Sequence, residues 1–363
     1  MTTEVDVAIV GARVAGSVTA TLLGEAGHRV ILVDAARFPS DTISTHFFRG
    51  GGLGSVLDRL SLLDDVLALG SPRLTSEYNF RGTDASPMVR GPQNPGTVGY
   101  CLSTRRLPLD HLLAERARRT AGVELWEGTP ARAVRHADGR VTGLAVDRDG
   151  ATHEVKARIV IGADGRGSSV ARWVGASVER REPATRAMYY RYFTGYRGPG
   201  GSWDGPEFSA IGDELVYAFP SDDDLACLAV SINLDAFAQF RANPESMFGS
   251  RIAAHPGLAP RFAAANPETR ILASGPKDAL VRQPSGPGWA LVGDASICQD
   301  PWTGLGMDNA SVHATFLAEA VDAWLSGRSG EREALDSYRR RRDEHALPGF
   351  DATADLGRDL SRL

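Results

Sequence analysis

Lysine is nearly missing from this chain. Among 363 residues it stands only at Lys156 and Lys277, and arginine carries almost all the positive charge. We read that imbalance first as compositional bias, yet it narrows the scope for lysine-based chemistry. Cysteine is scarce as well: Cys101, Cys227 and Cys298 show no paired spacing, which excludes a disulfide framework and a zinc site and leaves small buried hydrophobes. No apolar run reaches bilayer length, since Arg13 and Glu25 interrupt the most hydrophobic N-terminal stretch. A basic leader is missing too. Glu4 and Asp6 precede an apolar strand, so no signal peptide is read and a cytoplasmic location is expected. The formal charge of −5 argues against nucleic acid or an anionic membrane surface as partner. What remains is 42% hydrophobic residues over a length that usually supplies two cores.

The N-terminal pattern is that of a nucleotide-binding unit. Val5 to Val10 is a continuous apolar run, as in a parallel strand buried on both faces. Gly11-Ala12-Arg13-Val14-Ala15-Gly16 follows, then a helical segment from Ser17 to Ala26 with Gly27 as its C-terminal stop. A second strand, Val30 to Val33, ends at Asp34. In this βαβ order a turn and a helix N-terminus face a pyrophosphate, and the acid accepts hydrogen bonds from a ribose diol. Gly11, Arg13, Ala15, Gly16 and Asp34 are therefore candidate cofactor contacts. Arg13 occupies the place of the middle glycine, so either its guanidinium compensates or the turn is wider. An ordinary strand–turn–helix remains the plain alternative, and this segment alone does not separate FAD from NAD.

Two downstream segments choose between them. Arg158 to Gly162 is another buried strand, running into Ala163-Asp164-Gly165. Ala290-Leu291-Val292-Gly293-Asp294-Ala295 leads to Asp300-Pro301-Trp302-Thr303-Gly304-Leu305-Gly306-Met307, after which Ala310, Ala314, Leu317, Val321 and Leu325 share a helical stripe. Each piece alone also fits a plain turn or strand end. Together and in this order, they resemble the Asp-Gly and Gly-Asp motifs of the para-hydroxybenzoate hydroxylase and geranylgeranyl reductase group of FAD enzymes. The resemblance covers most of the chain. It implies that Asp164 and Asp294 contact FAD, with Asp294 on the ribityl chain, and that Gly304, Gly306 and Met307 start a helix aimed at the flavin pyrimidine. A helix N-terminus there suits the negative charge of reduced flavin. Arg106-Leu107-Pro108-Leu109-Asp110 resembles the segment that opens a helix near FAD in the same group, which makes Arg106 a candidate contact or else a solvated arginine.

The expected fold is α/β: a Rossmann-like FAD-binding domain (glutathione reductase-type βαβ) with an inserted, mainly antiparallel β-sheet substrate domain and C-terminal helices. Residues 1–83, 98–182 and 275–330 form the discontinuous FAD-binding domain. Residues 84–97 and 183–274 form the substrate-binding domain, with the Pro/Gly-dense stretch 84–99 read as a loop. Residues 331–363 form a C-terminal helical segment whose basic run, Tyr338 to Arg342, reads as a solvated face.

On the substrate side the resemblance brings the loop Ser44 to Gly52 beside the flavin. His46 reads there as general base or substrate orienter, or as a ring that merely hydrogen-bonds FAD or a loop carbonyl. Arg49 reads as a clamp on a carboxylate or phosphate, or as an FAD contact. Tyr217-Ala218-Phe219-Pro220 keeps only the Phe-Pro end of the reductase and halogenase motifs. Tyr217 and Pro301 join His46 as catalytic candidates, while Tyr189, Tyr190 and Tyr217 line the substrate face or the sheet core. Asp300 sits near the ring or caps a helix. Halogenases of this fold need an active-site lysine, and neither Lys156 nor Lys277 falls in its place, so halogenation is disfavoured. The expected activity is FAD-dependent monooxygenation of a small aromatic or secondary-metabolite substrate by O₂ through a flavin C4a-hydroperoxide. The alternative is C=C reduction or dehydrogenation of the geranylgeranyl reductase type. A single dinucleotide fingerprint leaves NAD(P)H to bind transiently, or a separate reductase or ferredoxin to supply electrons.

Overall fold

The computed structural model describes residues 2–44, 47–89 and 97–362. Its first sheet grows from the N-terminal apolar run. Strand β1 (Thr2–Val10), helix α1 (Val14–Glu25) and strand β2 (Val30–Val33) form the βαβ unit. Gly27, at φ +91°, ends the helix in the left-handed conformation that favours glycine. Helix α2 (Arg106–Arg118) leads into β3 (Val123–Trp126), and β4 (Ala151–Gly162) and β5 (Trp289–Leu291) complete the parallel core. The spatial order is β5-β4-β1-β2-β3, with every neighbouring pair parallel. The chain therefore leaves β1 on one side and returns through β4 on the other. Such a reversal opens a crevice beyond the strands' carboxyl ends, between the first turns of the two halves. A hairpin, Ala131–Ala137 with Arg140–Arg148, extends β4 antiparallel.

The second sheet is mainly antiparallel, as expected, with strands Arg186–Thr194, Ala226–Asn233, Glu214–Pro220 and Glu207–Ile211 in that spatial order. Ser76–Arg81 joins it in parallel to Glu207–Ile211, although the sequence places that segment with the cofactor domain. Asp84–Val89 pairs antiparallel with Ser76–Arg81 and is a strand, not a loop. The remainder of the expected loop, 90–96, lies outside the described residues. Period-2 alternation gives this sheet two faces. Tyr189, Phe193, Val216 and Val230 pack against Phe240, Phe248 and Ile252 of the outer helices. Met188, Tyr190, Tyr192, Tyr217 and Phe219 face inward with Phe47 and Trp302.

Helices α3 (Gly306–Leu325) and α4 (Glu331–Gly357) close the first sheet. The basic run of α4 is solvated at Arg339 and Arg340, as expected, but its two ends are not: Tyr338 and Arg342 are both 0% exposed. Four residues apart, they share one side of the helix. There Tyr338 donates its hydroxyl to the Leu291 carbonyl at 2.7 Å, and Arg342 donates to the Arg282 carbonyl and Ser296 Oγ. Three cysteines are buried free thiols. Among the described residues no helix is long and apolar enough to cross a membrane.

Between α3 and α4 the buried His313 places Nε2 3.2 Å from Nδ1 of the more exposed His345. Burial pulls both pKa values down, as it does for His255, which falls to about 4. A histidine held neutral in the native state binds its proton more readily in the unfolded chain, so its contribution to stability declines as pH falls below about 6.5. Calorimetry of wild type and His313→Leu at about pH 7.5 and 5.5 checks this. The variant should lose less melting temperature on acidification. Equal losses would contradict the assignment.

Candidate active site

A cleft of about 630 Å3 occupies the crevice that the strand order creates. Its wall collects one residue from the end of each critical strand: Gly11 after β1, Asp34 after β2, Asp164 after β4 and Asp294 after β5. The fingerprint turn shows why some of its glycines are obligatory. Gly11 has φ +101°, and a Cβ there would lie 2.5 Å from the Ala163 carbonyl oxygen. A Cβ on Gly16 would lie 1.7 Å from the Gly11 carbonyl oxygen, so only glycine lets α1 pack on its own turn. Gly293, at φ +60°, brings the Gly-Asp turn against the Ala15 methyl in the same way.

Arg13 breaks no such rule. Its φ of −86° and ψ of −162° are extended backbone that any residue adopts. The side chain stays on the cleft wall, where Nη1 donates to Asp110 Oδ2 at 2.6 Å and to the Ser40 carbonyl at 3.0 Å. Arg106 lines the same wall and forks onto Asp110, with Nε and Nη2 at 3.0 and 2.9 Å. Asp110 is 0% exposed. One buried carboxylate thus holds two guanidinium groups against the cleft. Its position in the Arg-x-x-Leu-Asp segment was the available sequence signal, with Asp110 one helical turn after Arg106.

The acids divide by what they already hold. Asp34 accepts from the Ala12 and Ala36 amides at 2.7 and 2.8 Å, which braces the turn and leaves lone pairs toward the cleft. Asp164 accepts from Ser168 Oγ and the Ser169 amide, each at 2.6 Å, and so fixes the next helix. Asp294 differs: its carboxylate lines the cleft with no hydrogen-bond donor among the described residues. Burial pushes its pKa up, while Arg166, Arg106, Arg282 and Lys277 pull it down. A desolvated acceptor of this kind favours a ligand that brings hydroxyl donors, and a ribityl chain is such a ligand. Gly304, Gly306 and Met307 line the cleft at the N-terminus of α3, and Pro301 borders it just before.

Other expected site residues stand elsewhere. Gly16 lies beneath the turn rather than on the wall. Arg49 points to the buried Asp308, donating from its amide and from Nη1 at 3.1 Å each. A Cβ on Gly52 would lie 2.3 Å from Asp308 Oδ1, which explains the glycine run in that loop. Tyr217 is 2% exposed, does not face the cleft, and donates to the Trp302 carbonyl at 2.7 Å. It positions the Pro301–Thr303 turn from behind. Of the three tyrosines only Tyr190 lines the cleft, because Tyr189 alternates to the far face against Phe240. His46 lies outside the described residues.

Two wall residues carried no signal. Arg166 donates to the Asp278 and Gln299 carbonyls at 2.7 and 2.6 Å, tying the Asp-Gly turn to the returning chain. Lys277, which sequence position sets apart from the flavin, also lines the cleft.

Fold and cleft together define an FAD-dependent oxidoreductase of Rossmann type. The chain belongs to the FAD-binding-domain family, whose profile matches residues 4–191. The digeranylgeranylglycerophospholipid reductase of Methanothrix thermoacetophila is 30% identical over 359 residues, covering 93% of this chain and 82% of the relative. PqsL of P. aeruginosa, solved in complex with 2-aminobenzoylacetate, is 25% identical with TM-score 0.81, covering 98% and 95%. The flavin-dependent brominase Bmp2 shares the fold, with TM-score 0.84 and 20% identity over 98% and 87%.

Replacing Asp294 with alanine is expected to weaken FAD by ~1.5–3 kcal/mol, the value of a hydrogen bond to a charged group. Flavin fluorescence titration should read that as roughly a 10- to 150-fold rise in Kd. Wild-type affinity in the variant would remove Asp294 from the cofactor site.

Proposed function

We propose that the protein is an FAD-dependent monooxygenase acting with O₂ on a small aromatic or related secondary metabolite that bears an acidic group. The observation that carries this reading is the aromatic layer that the second sheet packs behind Met188 and Tyr190. Beyond Met188 and Tyr190 the second sheet is filled by aromatic packing, with Phe47 and Phe219 stacked at 5.5 Å and Phe208 against Tyr217 at 5.7 Å. An aromatic layer packed behind this wall suits a small ring better than a long isoprenoid chain.

FAD, when bound, supplies the two-electron redox chemistry. The chain's own residues bind, orient and shield. Gly11, Arg13, Ala15, Asp34, Arg106, Asp164 and Asp294 hold the cofactor, and Gly304, Gly306 and Met307 present the α3 N-terminus to it. Arg49 and Gly16 shape those segments from behind the wall. Met188, Tyr190 and the aromatic layer keep water from the reacting end. Among the cations of the wall, Arg13, Arg106 and Arg166 already donate to protein acceptors. Lys277 has no such partner among the described residues and favours an anionic substrate. Pro301 contributes the cleft edge before α3, and His46 stays a candidate base on its sequence position alone. The electron donor in this reading is NAD(P)H bound transiently, or a separate reductase or ferredoxin, in the cytoplasm.

The identity to a digeranylgeranylglycerophospholipid reductase supports a second reading, reduction of a C=C bond. Oxygen separates the two. Purified holoenzyme, a donor and a panel of aromatic acids are expected to consume O₂ in proportion to a hydroxylated product. Saturation of a C=C bond at undiminished rate under anaerobic conditions would contradict the monooxygenase reading.

A further inference from the structure

One wall of the cleft carries a carboxyl that the cofactor assignments leave unused. Asp300 is 7% exposed and borders both the main cleft and a second cavity of about 10 Å3 behind it. No arginine or lysine pairs with it among the described residues. Among the described residues its oxygens accept from Thr185 Oγ1 and the Trp302 amide, each at 3.3 Å. The small cavity is bordered by Thr185, Gln299, Asp300 and Thr353, with Glu182 and the exposed Lys277 at its rim. Gln299 borders both spaces. Its Nε2 donates to Thr303 Oγ1 and Thr353 Oγ1 at 3.1 and 3.3 Å, whereas its Oε1 is buried without a donor. A buried acceptor beside a cavity large enough for about one water marks a bound-water site.

We propose that Asp300 is the proton carrier of the cleft, taking a proton from water in the side cavity through Thr185 and giving it to the reacting atoms on the flavin side. This rests on the FAD-enzyme reading and holds for oxygen insertion and for C=C reduction alike, since each consumes a proton. The surroundings suit a carboxyl that stays protonated. Burial pushes Asp300 up, against the pull of the Trp302 amide, the Thr185 hydroxyl, Arg186 and Arg166. Helix α4 presents Thr353 and Phe350 to the side cavity, Glu182 and Lys277 lie at its mouth, and the buried Tyr217 phenol packs nearby from the sheet. Oxidation of anionic reduced FAD by O₂ gives the balance. Two electrons leave the flavin, and hydrogen peroxide takes two protons. One proton is the flavin's own N–H, and the other comes from Asp300, whose carboxylate recovers it from the cavity water and then from solvent.

The test needs no substrate. Dithionite-reduced holoenzyme, freed of excess reductant, is mixed with oxygenated buffer across pH, in H₂O and in D₂O. The wild-type reoxidation rate should fall as pH rises through the Asp300 ionisation, with a solvent isotope effect. Asp300→Asn should hold FAD within about twofold of wild type, reoxidise at least ~10-fold more slowly, and lose both the pH step and the isotope effect. Asp300→Glu should restore the step. In ligand-free protein, the infrared difference between wild type and Asp300→Asn should contain a protonated-carboxyl band that persists to higher pH than for an ordinary aspartate. A wild-type rate and pH profile in Asp300→Asn, or no such band, would overturn the proposal. Should that variant lose FAD, Thr185→Val decides in its place: slower reoxidation supports the relay and an unchanged rate overturns it. None of these results depends on whether O₂ consumption is coupled to a product, so the two readings fail separately.

Discussion

The Asp110 carboxylate organises the cleft. Fully buried, it receives Arg13 from the fingerprint turn and Arg106 from one helical turn earlier on its own helix. Two guanidinium groups side by side repel each other, and a lone buried carboxylate is expensive to desolvate. The three together offset both costs and leave cationic surface toward the cleft. Where the fingerprint usually has a glycine, Arg13 adopts extended φ/ψ that any residue can take, and its side chain is braced on the cleft wall.

The rest of the site depends on similar fixings between distant segments. Asp308 ties the Arg49–Leu53 loop to the first turn of α3 through three donors. Tyr217 reaches from the second sheet to the Trp302 carbonyl, and Arg166 pins the returning chain beside Lys277. Each uses a buried or half-buried polar group whose partner lies on another element, so the cleft walls are set before a ligand arrives. Such preorganisation lowers what binding must spend on ordering the site.

This division explains what was legible in the sequence. Gly11, Asp34, Asp164 and Asp294 stand at strand ends, where an apolar run followed by a turn residue fixes both address and direction. The α/β fold, the mainly antiparallel inserted sheet and the helix after Gly306 follow from the same periodicities. Side-chain partners at long range do not. Arg13 and Asp110 are 97 positions apart, and Arg49 and Asp308 are 259. Nothing local distinguishes Arg49 facing a flavin from Arg49 facing a buried acid. Arg342 misleads for the opposite reason: a run of arginines looks solvated unless Tyr338 and Arg342 are placed on the buried stripe with Ala334 and Leu335. Lys277 is set aside in the sequence because its place in the chain precedes the Gly-Asp motif, while the returning chain carries it onto the cleft wall.

The most direct test of this account is the affinity of FAD for ligand-free wild type and for Asp110→Asn, measured by titration at two ionic strengths. Asparagine keeps the shape and removes the charge, so Arg13 and Arg106 should repel and turn away. Breaking a buried charge pair from one side typically costs ~3–5 kcal/mol, part of which falls on binding. At least a tenfold loss of affinity, about 1.4 kcal/mol, with a weakened salt dependence is the predicted result. Unchanged affinity with unchanged salt dependence would contradict it.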